Sequence, residues 1–349
     1  MPYLIGIDEA GYGPNLGPLV IAASVWRVSG PLPDDRQLDA RVARVIGRQA
    51  PRKRRALAAT ATSTSTAKAS TATQATTRCQ PPRRVRIADS KAIYNPQVGL
   101  APLEQNVLAM LAACGRSAAD WQAFWQCVAP HAAEHRDAEL WNLGFNPRLP
   151  VEADGALVER LGTRVARGLE SAGLQLIGVR AAVLFPAQFN RRVDEMGSKG
   201  AALSHTTVAL AADCLSDCTA AEEIRVQGDK HGGRHYYGPL LQNQFPEWLV
   251  EVHDEGAARS LYRFGPAERR IEFSFCAGGE AALPIALASM FAKYLRELSM
   301  RAFNAFWCAR VPNLRPTAGY PADARRFKRA IAGVQAELGI DDATLWRSR

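Results

Sequence analysis

Apolar and polar positions along the chain predict a β-rich opening, a helical middle and a mixed second half. Tyr3 to Ile7 is apolar and partly β-branched, and Leu19 to Trp26 is a second apolar run, so two strands are expected within the first 26 residues. Between them stand the adjacent carboxylates Asp8 and Glu9 and glycines at 11, 13 and 17, with Pro14 and Pro18 interleaved. After Ser29 the chain begins as Pro/Asp-rich loop and turns helical around Leu38 to Ile46. Leu103 to Ala113 and Ala118 to Cys127 predict helices; His131 to Pro150 is irregular, with Trp141 and Phe145 as its anchors. Leu157, Leu161, Val165 and Leu169 recur every fourth residue, an amphipathic helix closed by Gly173. A strand over Leu174 to Phe185 precedes a helical segment over Gln188 to Cys218, interrupted around Gly197 to Gly200. Glu223 to Gln227, Trp248 to His253 and Arg269 to Ala277 read as further strands. Pro284 is a good first residue for a long helix that carries Ser289, Lys293 and Glu297 on one face and Leu287, Phe291 and Leu298 roughly opposite.

One segment breaks this alternation. From Pro51 to Arg84 the chain is Ala/Thr/Ser low complexity with basic ends and almost no large apolar side chain. It cannot bury enough surface to offset its ordering entropy, so a disordered insertion is expected at 51–84. It also changes the reading of charge. The formal +9 resembles a nucleic-acid signal, but nine basic residues and no acid lie between Pro51 and Arg86, and the remainder is formally neutral. The basic excess therefore belongs to one segment and says little about the folded surface.

At 47% hydrophobic and 22% charged residues, the composition is that of a soluble globular protein, and no apolar run approaches the roughly 18 residues that span a bilayer. No signal peptide is recognisable. Seven cysteines, an odd number without a CxxC pair, argue against a disulfide framework or a cysteine-type zinc site, and a reducing cytoplasm is expected. Cys214 and Cys218, one helical turn apart and downstream of His205, read as core thiols rather than metal ligands.

Two stretches carry candidate chemistry. Asp8 and Glu9 close a strand and cannot both face one core, because neighbours on a strand point to opposite faces. Beside a glycine turn that permits positive φ and close backbone approach, such a pair suits a divalent metal near a phosphate; a solvated hairpin end is the plain alternative. The second stretch is GDKHGGRHYYG, where Asp229 follows a strand and Lys230, His231, Arg234 and His235 surround Gly232 and Gly233. Exposed glycine amides with cations suit a phosphate, whereas a hairpin with a basic tip needs no ligand.

GIDEAGYGPNLGPLV at Gly6 to Val20 resembles the opening motif of the ribonucleases HII, GIDEAGRGPxxGPLV. Further segments follow in the family's order: ADSK at Ala88 to Lys91, ALASMFAKYLRE at Ala286 to Glu297 beside ASxxAKxxRD, and GYPADA at Gly319 to Ala324 beside KGYxTxxH. Around Asp229 the position matches and the letters do not, VQGD standing where the family has VDG, so either Gln227 replaces a ligand or Asp229 has taken its place. Asp229 is preferred because aspartate binds magnesium as an anion. Two more departures are Tyr12, where the family has arginine, and the absent histidine after Tyr320.

The resemblance to the ribonuclease HII/HIII family implies an α/β, ribonuclease H-like fold with a central mixed sheet flanked by helices. One such domain would span 1–349, interrupted by the insertion, with 111–150 as a helical elaboration unlike the family. It implies metal-dependent hydrolysis of the RNA strand of RNA–DNA hybrids, with Asp8, Glu9, Asp229 and Glu297 holding one or two Mg²⁺ or Mn²⁺ ions. Gly11, Tyr12, Gly13, Ser90, Lys91, Lys230, Arg234, Lys293 and Tyr320 would contact nucleic acid. A same-fold nuclease acting on another nucleic-acid structure, and a non-catalytic nucleic-acid-binding protein, are the alternatives. Tyr12 removes the permanent charge and forked donors of arginine from the turn, which predicts weaker selectivity for a lone ribonucleotide.

Overall fold

The computed structural model describes residues 1–48, 83–218 and 223–347. Strand β1 (Tyr3–Ala10) turns back antiparallel into β2 (Leu19–Val28). Helix α1 (Asp35–Val42) follows, started by a capping box in which Asp34 accepts from the Gln37 amide and the Gln37 side chain accepts from the Asp34 amide. It ends before the expected helical stretch does. Ile46–Arg48 is instead strand β3, paired in parallel with β4 (Val85–Ile87) across residues 49–82. The β-branched Ile46 finds partners there that a lone helix end would not supply. The expectation of disorder at 51–84 falls outside the described residues except for Arg83 and Arg84, and Arg84 Nη1 donates to Ala43 O at 3.0 Å.

The helical middle comprises α2 (Ser90–Ile93), α3 (Ala101–Ala113), α4 (Trp121–Val128), α5 (Ala133–Ala138) and α6 (Gly155–Ser171). Then come β5 (Leu174–Leu184), α7 (Pro186–Met196), α8 (Lys199–Ser216), β6 (Glu223–Asp229) and α9 (Gly238–Gln244). Strands β7 (Glu251–Glu255), β8 (Arg259–Phe264) and β9 (Arg270–Cys276) form an antiparallel meander before α10 (Leu283–Cys308), α11 (Pro321–Glu337) and α12 (Asp342–Leu345). Strand β8 was not expected from its sequence; Tyr262 and Phe264 are buried while Arg263 is partly exposed and paired with Glu272, and the pairing with β7 and β9 decides the strand.

Among the described residues the strands form a seven-stranded sheet in the order β5-β2-β1-β6-β9-β8-β7 and the small β3-β4 pair. β1, β6 and β9 run parallel at its centre and the flanking pairs are antiparallel, so the sheet is mixed, as expected. Alternation along β1 splits the core. Leu4 faces α3, α4, α6 and α10, and Ile5 and Ile7 face α7, α8 and α9. Helix α10 lies directly on β1 because position 6 is glycine: a Cβ there would stand 2.2 Å from the Pro284 carbonyl carbon. Ser24 Oγ fixes the same helix end by donating to Pro284 O at 2.7 Å.

The 111–150 segment is built into this core. Phe124 stacks on Phe291 at 6.3 Å and meets Tyr294 edge-on at 5.1 Å. Trp141 packs edge-on against Phe303 and Phe145 against Trp121. Buried Glu104 on α3 holds the end of the segment, accepting from the amides of Val151, Glu152 and Ala153 at 2.6–2.8 Å and from the Tyr294 hydroxyl at 2.7 Å.

Candidate active site

The three central parallel strands end on one side of the molecule, where open α/β sheets gather their ligands. Parallel pairing sets Ile7 opposite Gly228, which brings Asp8 and Glu9 beside Asp229 at the ends of β1 and β6. Asp229 pairs with Cys276, the last residue of β9. The turn after β9 folds back over this edge, and the Gly279 amide donates to Asp229 Oδ1 at 3.0 Å. Gly279 is required there, since a Cβ would lie 3.1 Å from Gly228 O and 3.2 Å from the Asp229 Cα. The turn carries Glu280 toward the strand ends. Gln227 lies two residues earlier in β6, opposite Gly6, and it is Asp229 that interacts with the other carboxylates.

The electrostatics identify the group. Burial, Glu9 and Asp229 push the Asp8 carboxyl well above the usual carboxylate range, against a hydrogen bond from Ser289. Burial and Asp229 push Glu9 up to about 7, with Glu280 adding and Lys91 opposing. Glu280 is raised by burial, Asp229 and Asp89. Burial disfavours the Lys91 ammonium, but Asp89, Glu280, Asp8 and Glu9 outweigh it and its pKa is raised. Asp8, Glu9, Asp229 and Glu280 therefore form one negative cluster with Lys91 as its cation. Asp89 caps α2 by accepting from the Lys91 amide at 3.1 Å, and the Ser289 and Ser90 hydroxyls are hydrogen-bonded at 3.1 Å, which holds α2 against α10.

Glu297 is not brought to this group. It lies eight residues beyond Ser289, about 12 Å along the helix axis. There its carboxylate takes Lys293 Nζ at 2.6 Å and the Tyr94 hydroxyl at 2.9 Å, with Arg296 Nη1 at 3.9 Å. Lys293, 4.7 Å from the Tyr94 ring centroid, belongs to the same local set. The four-residue spacing put Ser289, Lys293 and Glu297 on one face correctly, but a helix face is longer than a site. Glu280 stands outside every motif read from the sequence. The signal for it was present: a carboxylate in the turn that follows a strand, near the strand end as Asp229 is at the end of β6.

The glycine turn closes over the cluster. Gly11 has φ +91°, and a Cβ on it would meet Arg296 Nε at 2.4 Å and Pro18 O at 2.7 Å. The Asn15 amide donates to Gly319 O at 2.8 Å, which draws Tyr320 to within van der Waals reach of Gly13. Tyr320 stays half-exposed there. Lys199 Nζ sits 4.3 Å from the Tyr12 ring centroid, and burial with Glu9 nearby raises the Tyr12 phenol.

The GDKHGGRH stretch is organised differently from a phosphate cradle. Lys230 Nζ donates to Ser260 Oγ at 2.8 Å and to Arg234 O at 3.3 Å, and burial lowers its pKa. The Arg234 guanidinium lies over Tyr237 at 5.8 Å. Buried His231, its rings' nitrogens facing Ser204 Oγ at 2.9 Å and Thr207 Oγ1 at 3.4 Å, is pushed down to about 3 by burial and Arg234 and is neutral at physiological pH. These side chains anchor the stretch to α8 and β8.

Among the described residues no three carboxylate, imidazole or thiolate groups stand close enough to form a ready-made metal cage. The donor chemistry nevertheless suits a hard cation: four carboxylates, no thiolate or imidazole, three of them with pKa values raised by burial first and by one another second. All described cysteines are free thiols, and no helix among the described residues is long and apolar enough to cross a membrane.

No family model and no curated protein matches the chain. Solved structures do. The chain is similar to the ribonuclease H2 of Pyrococcus horikoshii OT3, at 12% identity and a TM-score of 0.38, covering 98% of this chain and 92% of that one. It is similar to the ribonuclease HII of Archaeoglobus fulgidus, solved in complex with PCNA, at 14% identity and a TM-score of 0.36, covering 99% and 94%. It is also similar to Bst ribonuclease HIII in complex with Mn²⁺, at 13% identity and a TM-score of 0.37, covering 99% of this chain and 65% of that one.

Proposed function

We propose that the protein is a metal-dependent, ribonuclease H-like nuclease of the cytoplasm that hydrolyses the RNA strand of RNA–DNA hybrids. The observation that carries this reading is the grouping of Asp8, Glu9, Asp229 and Glu280 around the ends of β1, β6 and β9, under the Gly11–Gly13 turn. Motifs in family order along the chain support the hybrid as substrate. Asp8, Glu9, Asp229 and Glu280 would hold Mg²⁺ or Mn²⁺. When bound, the cation supplies Lewis-acid activation of water and charge stabilisation at the phosphodiester.

The chain's own groups prepare that site. Ser289 orients Asp8 by its hydrogen bond, and the Gly279 amide orients Asp229. Glu9, raised to about 7, holds a proton part of the time near neutral pH and would release it on binding a cation. Lys91, held by α2, offers positive charge to a phosphate at the edge of the cluster. Gly13, whose missing Cβ would meet only Tyr320 at 3.8 Å, leaves room for a sugar to approach the backbone and present its 2′-hydroxyl, and Tyr12 and Tyr320 offer ring surface beside it.

The absence of a ready-made cage among the described residues favours a second reading, a nucleic-acid-binding protein that does not cleave. Labelled hybrid, single-ribonucleotide duplex, duplex RNA and duplex DNA, each with Mg²⁺ or Mn²⁺, separate the two. Cleavage of the hybrid is expected, and Asp8→Asn is expected to abolish it with folding intact. Binding without metal-dependent cleavage of any of the four would replace the nuclease reading with the second.

A further inference from the structure

A cavity of about 580 Å³ opens beside the Tyr12 turn, bounded by Pro14, Phe189, Ser198, Lys199 and Arg347. Arg347 reaches it from the far end of the chain. Trp346 bridges to Leu16, the Arg347 amide donates to Asn15 O at 2.9 Å, and Asn15 Nδ2 donates to Arg347 O at 3.2 Å. The side chain is 1% exposed. Its guanidinium lies 5.0 Å from the Phe189 ring centroid and donates from Nη2 to Pro14 O. Among the described residues, Nε and Nη1 have no hydrogen-bond partner, and both are buried.

A clasp for the chain end needs only the backbone bonds and the contact with Pro14. It does not account for a buried guanidinium short of two of its donors, because buried charges are ordinarily paired and hydrogen-bonded. The charged neighbour that Arg347 feels is another cation, Arg296, which lies under Gly11 with its own Nε unpaired. The opposite wall of the cavity is the N-terminus of the 18-residue helix α8, capped by Ser198 Oγ accepting from the Ala201 amide at 3.1 Å. A helix N-terminus favours an anion. Lys199, over the Tyr12 ring, adds a cation at the rim. The Asn15 amide oxygen is also buried and unpaired, which leaves the guanidinium side as the seat for an anion.

We propose that this cavity holds a phosphate group of the bound nucleic-acid strand, seated between Arg347 Nε and Nη1 and the first turn of α8. The inference rests on the nucleic-acid reading above and adds to it a second anchoring point beside Tyr12. A strand lying along the turn would be held there as well as at the carboxylates, which fixes its register over Asp8 and Glu9.

Two measurements on the full chain test this. Thermal unfolding against inorganic phosphate, without divalent metal and at constant ionic strength, is expected to show a saturable rise that is lost in Arg347→Gln and in Lys199→Glu. Lys199→Glu serves should Arg347→Gln fold poorly, because the Arg347 contacts with Asn15, Pro14 and Phe189 do not involve Lys199. Next, a hybrid duplex carries one neutral methylphosphonate, moved stepwise along the RNA strand. One position is expected to weaken Kd about tenfold in the native protein, with no position-specific loss in the variants. No saturable rise, or the same rise in both variants, overturns the site. A phosphate-dependent rise with no sensitive position means a free-phosphate site and overturns the strand assignment. Phosphate binding that depends on Arg347, in a protein that neither binds nor cleaves any nucleic acid, would instead sink the proposed function.

Discussion

Glu9→Gln tests the carboxylate cluster through stability alone. In the metal-free protein the Glu9 carboxyl sits at about 7 against an ordinary 4.5, chiefly from burial and Asp229. The folded state therefore binds this proton more tightly than the unfolded chain does. A group raised in this way contributes its stability below pH 4.5 and loses it progressively as pH climbs through 7. The lift corresponds to about 3 kcal/mol of folding free energy lost between pH 4.5 and pH 8. Glutamine has nearly the same shape and no charge to desolvate. Glu9→Gln should consequently be more stable than the native metal-free protein by up to about 3 kcal/mol at pH 8, with no gain at pH 4.5. Mn²⁺ should reverse the order at pH 8, because a cation compensates a carboxylate and not an amide. Chemical denaturation at several pH values, with chelator and then with Mn²⁺, measures both. An unchanged pH slope in the variant, or a native protein that Mn²⁺ does not stabilise at pH 8, would refute the reasoning.

Two further substitutions separate residues that the sequence treats alike or passes over. Glu280→Gln should lower metal-dependent cleavage at least about 100-fold, as loss of a group at the reacting charge commonly does, while Glu297→Gln, whose partners are Lys293 and Tyr94, should stay within about threefold. Equal losses in the two variants at fixed metal would return Glu297 to the site. Glu104→Ala strands the Tyr294 hydroxyl and three part-buried backbone amides, so a loss of about 2–4 kcal/mol is expected by denaturant titration, and a loss below about 1 kcal/mol would show that water replaces the carboxylate.

What the sequence determined by itself was local and periodic. The β1 pattern with Asp8 and Glu9 at its end, the every-fourth-residue stripe from Leu157 to Leu169 and the helix after Pro284 are all set by alternation, apolar spacing and proline placement, which act within a few residues. The glycine at position 11 was legible for the same reason, since its positive φ is a property of the turn itself. Tertiary structure decided what those elements meet. Strand pairing, not propensity, made Ile46–Arg48 and Arg259–Phe264 strands: the first finds its partner across residues 49–82, and the second is held between the neighbouring strands β7 and β9. Parallel registration of β1 with β6 selected Asp229 over Gln227, and the fold-back after β9 brought in Glu280, while the straight path of α10 carried Glu297 away. Arg347 shows the same limit most sharply: 332 residues separate it from Asn15, and no pattern in either neighbourhood states that the two share a cavity wall. A side chain's spacing along the chain fixes its face, but only packing fixes its distance from everything else.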